Sequence, residues 1–136
     1  MMKNIMRRKE IICCVIMSLC LCLLCSCSKQ FNIVGEWKID SYQIDDMSLS
    51  KDQIGEYCGE DFAVNNNDNT IVFFENGVVE ITMGDYRGGH DAKIGSYYLS
   101  DNRILVGEEG AWETLLIKDN AVIWDDGMIQ HIYKKR

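Results

Sequence analysis

From Gly35 to the C-terminus, hydrophobic and polar residues alternate in short runs. Turn residues break the runs at intervals of about 8–12 residues, the pattern of an all-β barrel or sandwich. The runs predict eight strands: Glu36–Ile44, Thr70–Phe74, Val78–Met83, Lys93–Leu99, Arg103–Val106, Ala111–Lys118, Ala121–Trp124 and Met128–Lys134. Glu75-Asn76-Gly77 is a strong hairpin signal, because Asn and Gly both tolerate positive φ at the centre of a tight turn. Ser100-Asp101-Asn102, Asp119-Asn120 and Asp126-Gly127 are polar turns of the same sort, in a chain without proline. Such short links join antiparallel neighbours, so the expected topology is an up-and-down meander. Eight strands are enough to close it into a barrel and remove the exposed edges.

Alternation also assigns an interior. Trp37 and Ile39 share one face of the first strand, opposite Glu36, Lys38 and Asp40. Val79, Ile81 and Met83 oppose Glu80 and Thr82, while Tyr97 and Leu99 share a face with Gly95. These apolar side chains form the candidate ligand-contacting set. Ile71–Phe74 and Leu115-Leu116-Ile117 are apolar on both faces and leave their strands unoriented. One segment breaks the strand pattern. Ser50-Lys51-Asp52-Gln53 matches a capping box and predicts one short helix over about Lys51–Cys58, with Ile54 and Tyr57 on one face. The helix is expected to cover one barrel mouth, and Asn65–Asn69 to follow it as a polar loop.

Upstream the pattern changes completely. Met1–Glu10 is basic and Ile11–Leu24 is apolar, the layout of a secretory signal. Fourteen helical residues rise about 21 Å, short of the roughly 30 Å hydrocarbon core, so a stable membrane span is not expected. The segment ends Leu24-Cys25-Ser26-Cys27, which resembles the lipobox of bacterial lipoproteins. That resemblance implies cleavage before Cys27 and diacylglyceryl transfer to its thiol. Cys25 fits less well because Leu24 precedes it directly. Ser26 before the cysteine and Ser28-Lys29 after it resemble outer-membrane lipoproteins. The expected organisation is a signal peptide over 1–26, a lipidated cysteine and tether over 27–34, and one barrel domain over 35–136.

The chain carries a formal charge of −7; its first ten residues, with four basic side chains against Glu10, contribute +3, which leaves −10 for the rest. Such acidity repels phosphate backbones and argues against nucleic-acid binding. Six of the seven cysteines lie at or before Cys27, so only Cys58 falls in the domain. With Cys27 lipidated, no intrachain disulfide is expected in the mature protein, and Cys58 is expected as a small buried hydrophobe.

Gly35-Glu36-Trp37 opens the first strand as the Gly-x-Trp motif opens lipocalins. Phe73-Phe74-Glu75-Asn76-Gly77, Gly95-Ser96-Tyr97, Leu116-Ile117-Lys118-Asp119-Asn120 and the basic end Tyr133-Lys134-Lys135-Arg136 follow in order. The succession resembles the bacterial lipocalin-like lipoproteins over about residues 33–136. It implies an eight-stranded barrel closed at one end by Trp37, packed against Lys134, Lys135 or Arg136. The Thr-Asp-Tyr loop of lipocalins has no counterpart; Gly84-Asp85-Tyr86 comes too early.

No nucleophile, phosphate-loop or metal motif occurs after Cys27, so nothing points to an enzyme or a cofactor. The loop Gly84–Asp91 is the most unusual stretch, and Asp85, His90 and Asp91 are residue types that bind metals without selecting one; a solvated loop is expected. Trp37, Phe73, Tyr97 and Trp112 are expected mainly to fill the core, and His131 to sit partly exposed at the rim. Two functions remain open. One is a membrane-anchored binding module for a small apolar ligand or a lipid. The other is a structural or protein-interaction lipoprotein with a filled barrel, such as an inhibitor of an envelope enzyme. An open apolar pocket separates the first from the second.

Overall fold

Every strand expected from the alternation forms. They are β1 (Gly35–Ile44), β3 (Thr70–Phe73), β4 (Val78–Gly84), β5 (His90–Ser100), β6 (Arg103–Glu108), β7 (Ala111–Lys118), β8 (Ala121–Asp125) and β9 (Gln130–Lys135). The computed structural model describes residues 31–84, 89–108 and 111–136. The leader, the lipobox and Asp85-Tyr86-Arg87-Gly88 lie outside the described residues. Ile33–Arg136 is one compact unit.

The strands pair antiparallel in the order β1-β3-β4-β5-β6-β7-β8-β9, and β9 pairs back onto β1 to close the barrel. The polar turns set the hairpins. Asp119 and Asn120 both take positive φ, at 52° and 59°, as a two-residue hairpin requires. At Glu75-Asn76-Gly77 only Gly77 does so, because Asn76 uses its side chain instead to accept from the Val78 amide at 3.2 Å.

The segment between β1 and β3 is richer than a single helix. A short strand β2 (Met47–Ser50) doubles back on the C-terminal half of β1 through a turn with Asp45 at φ 52°. Helix α1 (Lys51–Cys58) then starts with the expected capping box at Ser50 and Gln53. A second helix, α2 (Glu60–Asn66), takes up part of the expected loop. Glu60 and Asp61 favour its first turn, and Asn66 donates back to the Phe62 carbonyl. Ile54 is buried, but Tyr57 is 56% exposed and does not share its inward face. Cys58 is half-buried rather than a core residue.

The core forms along the inward rows, with Trp37, Ile39, Phe73, Val79, Ile104 and Val122 all buried. A bulge in β1 shifts the β1–β9 register between Ile39 and Ser41. The extra residue switches the alternation, so Tyr42 rather than Ser41 points inward and is fully buried.

Candidate ligand-binding site

The two ends of the barrel differ. At one end Trp37 is 1% exposed, donates its indole N–H to the Ile33 carbonyl at 2.7 Å, and has the Lys135 ammonium 5.9 Å from its ring centroid. This is the closure that Gly35-Glu36-Trp37 implied, with Lys135 as the basic partner. Phe73 and Tyr97 pack edge-to-face beside it at 4.8 Å, and the Tyr97 hydroxyl donates to the Phe74 carbonyl.

At the other end an aromatic cluster gathers where the helices reach the barrel. Phe62 of α2 packs on Tyr42 and His131, and Trp124 lies 4.7 Å from the His131 ring. The Tyr42 hydroxyl donates to Asn67, whose amide in turn donates to the Lys51 carbonyl. Burial pushes the Tyr42 and Tyr133 hydroxyls well above the ordinary phenol range. His131 was expected at the rim but is 1% exposed, because its alternation with Ile129 and Tyr133 carries it inward under Phe62. Its Nε2 bonds Asp126 Oδ2 at 3.1 Å, and its Nδ1 has no hydrogen-bond partner among the described residues.

Asp126 ties the β8–β9 turn to this cluster. Burial works against its charge, but the amides of Ile129 and Met128 and the His131 ring outweigh that and hold its carboxyl below the ordinary value. The unfolded chain therefore binds more protons than the native one as pH falls through the region below about 4. Its stabilisation is present above that pH and lost through the native value. The thermal midpoint should drop below about pH 4, and Asp126→Asn should flatten that drop; an unchanged slope would count against this role.

Beside the aromatic cluster, on the β4–β7 side, the barrel has an open cavity of 710 Å³. Val79, Ile81, Met83, Val106 and Trp124 give it apolar walls. Lys93, Glu108 and Glu113 bring charge to it from the inward rows of β5, β6 and β7, and all three are exposed. The wall forks here. β5 pairs with β4 as far as His90, but with β6 only up to Ser96 and Gly107. Gly95 and Gly107 sit at the fork. A Cβ on Gly95 would stand 2.8 Å from the Gly107 carbonyl oxygen, and Gly107 itself holds φ at 147°.

Of the residues the alternation singled out, Val79, Ile81 and Met83 line the cavity. Trp37, Ile39 and Tyr97 do not; Trp37 and Ile39 are buried core. Leu99 keeps the inward register opposite buried Ile104, yet is 46% exposed, because β4 pairs with β5 only as far as Ser96 and no β4 residue stands beside it. Trp112 faces outward against Tyr98 and is not a core residue. The alternation missed Val106 and Trp124. Both were legible in principle, since Ile104 and Val106, and Val122 and Trp124, are alternating pairs. Among the described residues no group of His, Cys, Asp or Glu could hold a metal ion; Asp85, one of the metal-binding types in the Gly84–Asp91 loop, lies outside them.

No protein-family model and no curated protein matches the chain. Among solved structures, a lipocalin-like protein from Bacteroides uniformis ATCC 8492 is similar over 76% of this chain and 98% of its own, at 16% identity and a TM-score of 0.50. An uncharacterized protein from Bacteroides eggerthii DSM 20697 is similar over 77% of this chain and 100% of its own, at 12% identity and a TM-score of 0.48. With its eight strands closed by β9 on β1, Trp37 sealing one end and this likeness to the Bacteroides uniformis structure, the chain has a lipocalin-like β-barrel fold.

Proposed function

We propose that this chain is a lipoprotein of the cell envelope, anchored to a membrane through Cys27, whose barrel binds a small apolar molecule or a lipid chain. The observation that carries the binding reading is the 710 Å³ cavity with walls of Val79, Ile81, Met83, Val106 and Trp124. Its volume falls within the roughly 300–1,000 Å³ of small-molecule sites, whose walls are mostly apolar with a few polar groups. A cavity of this size supports this reading over the inhibitor-like alternative, which expects a filled barrel. A protein partner is the second reading, favoured by the outward pair Tyr98 and Trp112, whose rings meet at 5.3 Å on the exposed face.

The test of binding uses the uncharged dye N-phenyl-1-naphthylamine. Saturable binding with quenching of tryptophan fluorescence is expected, because Trp124 lines the cavity. Met83→Asp, at a half-buried position on its wall, should weaken binding at least tenfold while the protein still melts cooperatively. Absence of saturable binding by the folded parent would end the carrier reading.

The anchor rests on Leu24-Cys25-Ser26-Cys27 behind an apolar run. Cys27→Ala should leave the precursor uncut and displace the protein from its normal membrane fraction. Normal processing and normal membrane retention of that variant would remove lipidation from the account.

A further inference from the structure

Among the described residues, the charged groups that line the cavity are Lys93, Glu108 and Glu113, and all three are exposed. Val106 stands opposite Glu113, and Glu108 opposite Ala111, in the β6–β7 ladder. Glu108 and Glu113 are therefore diagonal neighbours on the inward face, roughly 7–8 Å apart along the ladder. Two like charges so placed repel, and neither has an ion pair among the described residues. Lys93 is the cation among the lining residues; it stands opposite Ile81 in the β4–β5 ladder and also has no ion pair among the described residues.

We infer that the cavity takes an amphiphile with a cationic head, an amine or ammonium held at Glu108 and Glu113 and an apolar body against Ile81, Val106 and Trp124. This rests on the reading of the cavity as a binding site and adds the charge of what enters it. A cation relieves the Glu108–Glu113 repulsion, whereas an anionic head meets two carboxylates and one ammonium. Trp124 on the wall adds an aromatic face that attracts a cation passing over it. The net charge of −7 acts in the same direction, concentrating cations near the protein.

The experiment displaces N-phenyl-1-naphthylamine from the full-length chain with octylamine, 1-octanol or octanoate, which share a chain length and differ in head charge. Octylamine is expected to displace the dye at least tenfold more strongly than octanoate, with 1-octanol between them. Joint Glu108→Gln and Glu113→Gln substitution should bring octylamine down to the level of 1-octanol. Lys93→Gln should move the other way and widen the gap between octylamine and octanoate. Melting curves establish that each variant is folded. Equal displacement by the three probes, a preference for octanoate, or an amine preference that survives the double substitution would overturn the inference while leaving the cavity a binding site. A parent that does not bind the dye at all would overturn both.

Discussion

Trp37→Ala is expected to destabilise the barrel by about 3–5 kcal/mol, the usual cost of truncating a buried aromatic side chain to alanine. The ring is buried at the closed end, its N–H satisfies the Ile33 carbonyl, and the Lys135 ammonium lies near its face. Truncation leaves a cavity between β1, β3 and β9, the place where the sheet closes on itself. It also leaves the Ile33 carbonyl without the indole donor. Chemical denaturation of parent and variant measures the difference, and a loss under about 1 kcal/mol would show that the closure does not depend on this residue.

Asn69→Leu should cost about 2–4 kcal/mol, because it leaves two part-buried groups, the Gly84 amide and Asn66 Oδ1, without their partner at about 1–3 kcal/mol each. Asn69 is buried between α2 and the barrel. Its side chain accepts from the Gly84 amide at 3.0 Å and donates to Asn66 Oδ1 at 3.3 Å. Leucine keeps the branched skeleton but serves neither bond. Asn69→Asp keeps an acceptor for Gly84 and should lose less. Equal melting of parent and Asn69→Leu would remove the residue from this role.

The barrel was legible because its cause is local. Alternation marks the strands, and residues such as Asp119-Asn120 can make a two-residue turn with positive φ, so neighbour pairing follows without long-range information. The closed end was legible for a related reason, since Gly35-Glu36-Trp37 is one contiguous motif. The site was harder to see. Its walls come from β4, β6 and β8, which meet only through the barrel register, and the unoriented run Leu115-Leu116-Ile117 left β7 without a face. Strand pairing supplies that face, setting Leu115 opposite Ile104 and Glu113 opposite Val106. Phe62 of α2 covers His131, and the asparagine-rich sequence of α2 resembles a loop until Asn66 and Asn67 find their carbonyl partners. Leu99 shows the opposite failure: correct alternation says which face a side chain takes, not how far the neighbouring strands extend to cover it.

The proposed ligand occupies the space between β4 and β7, and methyl NMR of the protein titrated with 1-octanol reports on that space. Saturable shifts of the Val79, Ile81 and Val106 methyls are expected, with those of Ile33 beside Trp37 at the closed end and Leu116 on the outer face unmoved. Saturation confined to Leu116 and other outward methyls, or no saturable shift at any cavity methyl, would contradict that proposal.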